Sequence, residues 1–144
     1  MIGMAMTGLD TFNTTVKKSN EWLKEIMKAQ RWRNRQKAYI ALRSVLHALR
    51  DRLIVDEAVH LGAQFPMLIR GLYYEGWTPS GKPVKRSREE FFAAVSEAFK
   101  NDPAIDPERV VRSVFAVMAK RVSEGEIEDI KSALPEEIRE LWPQ

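Results

Sequence analysis

The sequence predicts an all-α protein: a helical bundle of about eight helices, two tandem four-helix repeats packed as one domain. Apolar residues recur at helical spacing, and no segment alternates with a period of two. Helix-start signals recur along the chain. An ungapped shift of 69 positions aligns the two halves. The 144 residues suffice for one ordinary domain with its own core.

Apolar stripes define the helices of the first half. The first stripe comprises Phe12, Val16, Leu23, Ile26 and Met27. The second and stronger stripe comprises Tyr39, Leu42, Val45, Leu46, Leu49 and Leu53. A third comprises Leu61, Phe65, Leu68, Ile69 and Leu72. Pro66 interrupts it and suits the first turn of a new helix, where its missing N–H would have no partner.

Two prolines and a glycine predict a linker over 78–86. Three helix starts follow it: Ser87 with Glu90, Asp106 with Pro107, and Ser123 with Glu126. The first and third are capping boxes, and the second is an N-cap before a proline. Pro135 opens a last short helix that carries Ile138, Leu141 and Trp142.

The 69-residue shift pairs Arg43–Tyr73 with Arg112–Trp142. Identical pairs include Ser44/Ser113, Arg52/Arg121, Glu57/Glu126, Pro66/Pro135, Ile69/Ile138 and Arg70/Arg139. We therefore predict a single domain over 7–144 with internal repeats at approximately 8–77 and 86–143. Residues that recur in both copies are expected to serve the fold, and those found in one copy are free for function.

Charge is distributed unevenly along the chain. Through Arg88 there are 16 basic and 7 acidic residues, and from Glu89 onward 7 basic and 13 acidic. This asymmetry allows homo-oligomers that pair the two halves head to tail, or anion binding by the first half; two separately solvated surfaces are the simpler interpretation. The chain lacks cysteine, which fits a reducing cytoplasm. No segment indicates a signal peptide or membrane span, and the natural start is Met1, Met4 or Met6.

Three segments carry a family resemblance: "AYIALRSVLHALRDRL", "EAVHLGAQFPMLIRGLYYEGW" and "SEGEIEDIKSALPEEIRELWP". Together they resemble the bacterial "domain of unknown function 2267" family, from about Thr7 to Pro143. The resemblance implies a small, all-helical, cytoplasmic bacterial protein with no established activity, and it brings no catalytic residues. The run "RWRNR" is more basic than the usual pattern of the family.

The string "GLYYEGW" combines helix-ending features with an internal glycine. Gly76 falls just past the expected helix end, where a left-handed conformation favours glycine. Trp77 would then fold back on Leu72, as in a Schellman ending. Gly71 lies inside the helix, where glycine costs about 1 kcal/mol relative to alanine. That cost predicts close approach of another helix at Gly71, with a ligand as the alternative.

A first candidate site is a row of Arg43, His47 and Arg50 at i, i+4 and i+7 beside the second stripe. Such a row can hold a phosphate or carboxylate. The full candidate anion- or ligand-binding set is Arg43, His47, Arg50, Arg70, Tyr73, Tyr74 and Trp77. The alternative is structural ion pairing, as between Arg52 and Glu57 or between Arg121 and Glu126.

A second candidate is the segment Lys28–Lys37, in which basic residues surround one tryptophan. Basic charge attracts phosphates and an exposed ring can stack on bases. The candidate nucleic-acid contacts are Arg31, Trp32, Arg33, Arg35 and Lys37. The segment matches no recognised nucleic-acid-binding motif, so a solvated loop is the simpler interpretation.

Glu57 and His60 form an E-x-x-H pair like that of di-iron bundles, and Glu126 with Asp129 falls at the paired positions. Helix capping explains both glutamates without a metal. Catalysis has little support, because no triad or phosphate loop can be assembled and Tyr73, Tyr74 and Glu75 would need a pocket. We therefore expect a non-catalytic interaction or small-ligand-binding protein without a cofactor; nucleic-acid or metal binding are the alternatives.

Overall fold

The computed structural model describes residues 7–144, which fold into eight helices and no strand. The positions Met1, Met4 and Met6 lie outside the described residues. The helices are α1 (Asp10–Gln30), α2 (Arg35–Arg52), α3 (Val55–Gly62), α4 (Met67–Tyr74), α5 (Arg88–Ala98), α6 (Pro107–Arg121), α7 (Glu124–Ala133) and α8 (Glu136–Arg139). The predicted all-α fold and the number of helices are confirmed for this part of the chain.

Helices α2 and α6 pack against each other at the centre, and α1 and α5 each pack on both of them. The short helix α4 lies on α1 and α2, while α3 contacts α4 and α7. One continuous core runs through all of these helices, with fully buried side chains such as Leu46, Phe65, Phe115 and Trp142. The long central helices therefore position every surface groove described below.

The predicted helix starts are confirmed at two sites and half-formed at a third. Ser87 and Glu90 form a reciprocal capping box, and Asp106 caps the helix that begins with Pro107. The Ser123 hydroxyl accepts a hydrogen bond from the Glu126 N–H, but the Ser123 N–H donates to Oε1 of Gln64. The capping box predicted at Ser123 is therefore only half correct, because the Glu126 side chain does not accept from the Ser123 N–H.

Two aligned arginines of the predicted repeats make corresponding hydrogen bonds. Arg70 donates to the carbonyls of Gly62 and Phe65, which end α3. Arg139 donates to the carbonyls of Lys131 and Leu134, which end α7. Both arginines thus cap the carbonyls of a preceding helix. The duplication itself stays a prediction, because these matches do not establish that one half was copied from the other.

The prediction of close helix packing at Gly71 is wrong. Gly71 is exposed, and a Cβ there would meet no atom within 4 Å. The close approach occurs at Gly62, where a Cβ would lie 2.7 Å from Cζ of Tyr74. The Tyr74 ring is itself held between Tyr73 and Trp77, with centroid distances of 4.9 and 5.5 Å. Glycine is thus needed at position 62, on the preceding helix, because a side chain there would collide with the Tyr74 ring.

We expect Gly62→Ala to destabilise the protein by about 1–3 kcal/mol, because the added methyl group displaces a packed ring. Gly71→Ala is the matched control, and it should stabilise by about 0.5–1 kcal/mol, since alanine is the better helix former in open space. Urea unfolding of both variants measures the difference. Equal effects of the two substitutions would contradict the close approach at Gly62.

Candidate ligand-binding groove

Arg50 of α2 holds the end of α4 in place. Its side chain is buried, with the residue only 4% exposed. Nη1 donates to the carbonyls of Tyr73 and Glu75 at 2.7 and 2.9 Å, and Nε donates to Oδ1 of Asp51 at 2.9 Å. The α4 carbonyls that lack helical partners are thus satisfied by a side chain from α2. Arg50 is a structural residue at the base of the predicted arginine row.

His47, one turn before Arg50, hydrogen-bonds to a further carbonyl near the end of α4, that of Leu72. Its Nε2 lies 2.6 Å from the Leu72 carbonyl oxygen. A carbonyl only accepts, so Nε2 carries the proton and the neutral ring leaves Nδ1 as an acceptor. Burial lowers the pKa of His47, and the charges of Arg50 and Arg43 lower it further against the opposing effect of the Leu72 bond.

These bonds replace the predicted Schellman ending. Gly76 has φ 72°, as expected for a left-handed glycine. The Trp77 N–H, however, donates to the Tyr74 carbonyl at 3.1 Å, which closes a turn with Glu75 at φ −58° and ψ 126°. Trp77 therefore packs on Tyr74 and makes no Schellman bond to Leu72, whose carbonyl is bound by His47.

Arg43, one turn before His47, is the accessible member of the row. Its side chain is 40% exposed, and Nη2 lies 2.8 Å from Oε1 of Glu75, whose side chain is 61% exposed. An exposed ion pair of this kind contributes only about 0–1 kcal/mol. Arg43 can therefore exchange Glu75 for another anion at small cost.

A groove of about 630 Å³ runs between α2 and α5 along this row. Its α2 wall contains Arg43, His47 and Arg50, and its other wall contains Arg86 and Glu97. Arg86 has no ion pair among residues 7–144. Sequence reasoning missed Arg86 and Glu97, because only packing of α5 on α2 brings them opposite the arginine row.

The other four members of the predicted set do not line this groove. Arg70 caps α3, and the buried Tyr73 donates its hydroxyl hydrogen to the Ala58 carbonyl at 2.6 Å. Tyr74 packs between Tyr73 and Trp77 over Gly62. The predicted set of seven residues thus divides in the structure: three line the groove, and the other four lie on or beside α4.

The suggested ion pairs of the two recurring arginines are also wrong. Arg121 pairs with Glu25 and Glu21 of α1, at 2.7 and 3.4 Å. Arg52 makes no ion pair among the described residues, and its buried Nε lacks a hydrogen-bond partner. The neighbouring α1, which precedes the aligned region, supplies the acids that Arg121 binds.

The basic segment forms the turn between α1 and α2. Arg31 ends α1 with φ 59°, and Asn34 caps α2 by accepting a hydrogen bond from the Lys37 N–H. Trp32 is half-buried on Phe99, with ring centroids 6.0 Å apart, and Nζ of Lys37 lies 5.3 Å from its centroid. Trp32 is therefore not the exposed ring that was predicted, because it packs on Phe99 and beneath the Lys37 ammonium group.

The three arginines beside Trp32, namely Arg31, Arg33 and Arg35, are exposed. In the part of the chain that the structure describes, none of them has an ion pair, whereas Arg43, Arg50, Arg88, Arg112 and Arg121 each have one. This turn is therefore a surface of uncompensated positive charge.

The Glu57–His60 pair lies on α3, with Oε2 and Nδ1 3.6 Å apart. Burial raises the pKa of the Glu126 carboxyl on α7, and the charges of Glu57 and Asp129 raise it further. Among residues 7–144, no group of three or more histidine, aspartate and glutamate side chains is arranged to hold a metal ion. The metal-binding alternative gains no support from this geometry.

We expect the imidazole of His47 to titrate below the ordinary histidine pKa of about 6.5. Because the folded pKa is lower, the unfolded chain binds more protons, and this residue removes stability as the pH falls below about 6.5. An NMR titration of the two histidine rings, assigned with a His60→Gln variant, measures the pKa. A value for His47 above 6.5 would contradict the burial and tautomer described here.

In the described part of the chain, no helix has the length and apolarity to cross a membrane. The curated proteins give no match. A family model described as "Uncharacterized conserved protein (DUF2267)" matches residues 19–141, which is most of the chain and includes the whole α2–α5 groove. The chain therefore belongs to the DUF2267 family, the family that its sequence motifs resemble.

Proposed function

We propose that this protein is a non-catalytic binding module whose α2–α5 groove takes a small anionic ligand, such as a carboxylate or phosphate. One observation carries the proposal: Arg43 and Arg86 face the same groove, one held only by an exposed ion pair and the other without one. Guanidinium groups bind carboxylates and phosphates through paired N–H donors. The volume of about 630 Å³ suits a small molecule.

The acidic residues of the groove restrict the ligand. Glu75 and Glu97 line the same space, and Asp51 balances Arg50 at its base. The three arginines of the groove are thus balanced by three carboxylates, which disfavours a polyanion and favours a small ligand that contacts Arg43 and Arg86 directly. On binding, the ligand replaces Glu75 as the partner of Arg43.

His47 provides an internal probe for this ligand. We expect inorganic phosphate or succinate, added to the protein at millimolar concentration, to raise the pKa of His47, because an anion stabilises the imidazolium form. Arg86→Gln should weaken the affinity for the anion by about tenfold or more, the loss typical of one charge-assisted hydrogen bond. The matched control is Arg112→Gln, which removes the same charge at an exposed position outside the groove.

An unchanged His47 titration with both anions would overturn the proposal, and so would equal losses in the two arginine variants. Native mass spectrometry of protein purified from its own host would then identify the natural ligand by mass. The same spectra report the stoichiometry, which tests the proposed head-to-tail homo-oligomer. A cytoplasmic location in a bacterial cell remains part of the proposal and is supported by the family resemblance and the cysteine-free sequence.

A second candidate function is weak nucleic-acid binding at the α1–α2 turn, supported by the exposed and unpaired Arg31, Arg33 and Arg35. Binding of a single-stranded oligonucleotide should fall steeply with added salt, because each phosphate contact releases a counterion. Replacing these three arginines with glutamine should abolish it. The charge-matched control replaces the exposed Lys17, Lys18 and Lys24 of α1. No gel shift at low salt, or equal loss in both triple variants, would eliminate this candidate.

A further inference from the structure

A second cavity lies away from the α2–α5 groove, between α1, α2 and α4. It has a volume of about 320 Å³. Its walls are mainly aliphatic and comprise Val16, Leu23, Leu42, Leu68, Ile69 and Leu72. No charged side chain lines it. A cavity of this size and composition suits a small apolar molecule.

The cavity lies where the predicted stripe of α1 is only partly buried. The buried residues of α1 are Thr15, Ser19, Trp22 and Ile26, of which only Ile26 belongs to that stripe. Val16 is only half-buried, and Phe12 is 48% exposed. On the facing helix, Leu68 is 50% exposed. The Val16 part of the stripe is therefore left beside the cavity, whereas Ile26 is buried in the core.

One polar side chain in this apolar wall has no partner. Ser19 is 9% exposed, and its buried hydroxyl makes no hydrogen bond in the structure. Thr15, one turn earlier on the same face, has its hydroxyl oxygen satisfied by the Leu68 N–H at 3.1 Å. A buried hydroxyl without a partner costs about 1–3 kcal/mol. A ligand atom that bonds to Ser19 would recover that cost.

Two positions that line this cavity are replaced by charged residues at the aligned positions of the second half. Tyr39 and Leu68 line the cavity, while the residues 69 positions later are Glu108 and Glu137. Both glutamates bind Arg88: the Glu108 carboxylate pairs with its guanidinium at 3.2 Å, and the Glu137 carboxylate accepts from its N–H at 3.1 Å. The lining thus differs between the halves at these two positions, whereas Leu42, Ile69 and Leu72 align with the apolar Val111, Ile138 and Leu141.

We propose that this cavity binds a small neutral molecule that combines an aliphatic part with one hydroxyl or carbonyl group. The aliphatic part fills the space between Val16, Leu42 and Leu72, and the polar group hydrogen-bonds to the Ser19 hydroxyl. The uncharged walls exclude an ionised head group, because a buried charge without a partner is costly. At the roughly 30 Å³ that a water-sized group occupies in a liquid, the cavity admits on the order of ten non-hydrogen atoms.

The test uses 1-octanol as the probe and an amide NMR titration of the full chain. We expect saturable shifts of the amides of Ser19, Asn20, Leu68 and Leu72, which surround the cavity. Ser19→Ala should fold at least as well as the parent, because it removes an unpaired buried hydroxyl, but bind octanol about tenfold more weakly. Heptane, which lacks the hydroxyl, should bind the parent and Ser19→Ala equally.

A second variant tests the cavity without relying on Ser19→Ala. Val16→Trp fills the mouth of the cavity from a half-buried position and should abolish octanol binding while the remaining amide spectrum stays folded. The proposal is overturned if octanol shifts no cavity amide, if Ser19→Ala binds it unchanged, or if the same amides shift with protein concentration alone, which would assign this face to self-association. These readouts do not involve His47 or Arg86, so they are independent of the anion-binding groove.

Discussion

Replacing Arg50 with methionine is expected to destabilise the protein by about 3 kcal/mol, close to the lower end of what removal of one partner from a buried ion pair costs. Methionine keeps much of the apolar stem of arginine and removes the guanidinium. The carbonyls of Tyr73 and Glu75 would then be left without their donor. These two carbonyls account for much of this cost, because a buried acceptor that loses its hydrogen bond costs about 1–3 kcal/mol. Asp51 keeps Lys82 nearby, at 3.9 Å, which limits the total.

Urea unfolding measures this loss, and amide hydrogen exchange locates it. We expect faster exchange at the end of α4 and in the turn through Trp77, because Arg50 is what ties this segment to α2. Arg43→Met is the matched control on the same helix, since it removes an exposed pair and should cost less than about 1 kcal/mol. If both variants unfold alike, the structural role assigned to Arg50 is wrong.

Arg50 also shows what the sequence could predict about the site. The i, i+4, i+7 spacing correctly placed Arg43, His47 and Arg50 along one side of α2, since helix geometry alone determines it. The spacing does not reveal which residues of other segments pack against this side of α2. The end of α4 lies against His47 and Arg50, and α5 with the segment before it brings Glu97 and Arg86 to the same groove as Arg43. These contacts join distant segments, so the structural and the accessible arginines look identical in the sequence.

Glycine and helix faces illustrate the same limit for the fold. Gly76 was predicted correctly, because a left-handed helix ending is a local property of the backbone. Gly71 and Gly62 were not distinguished, because the close approach at Gly62 comes from Tyr74 on another helix. Likewise, the stripe of α1 is a correct sign of a helix but only a partial guide to its buried face, since Ile26 is buried and Phe12 is exposed. The buried Thr15 and Ser19 are polar residues that no apolar pattern would select.

Trp142→Ala is expected to cost about 3–5 kcal/mol, the range for removing a large aromatic side chain from a packed core. Trp142 is 1% exposed, and its ring stacks on Phe115 with centroids 4.0 Å apart and planes at 10°. Phe115 belongs to the central helix α6 and also packs on Phe91 of α5. Truncating Trp142 therefore opens a cavity at the point where the last helical segment meets the core.

A graded pair of substitutions separates packing from the polar indole nitrogen. Nε1 of Trp142 is buried and has no hydrogen-bond partner. Trp142→Phe retains a stacked ring and removes that unpaired N–H, so we expect it to cost about 1–2 kcal/mol, well below the alanine substitution. Trp77→Ala serves as the surface comparison, because Trp77 is only half-buried and contacts Tyr74. Thermal and urea unfolding should rank Trp142→Ala as the most destabilising of the three. A Trp142→Ala protein that unfolds at the parent midpoint would show that the stacked pair does not hold α8 on the core.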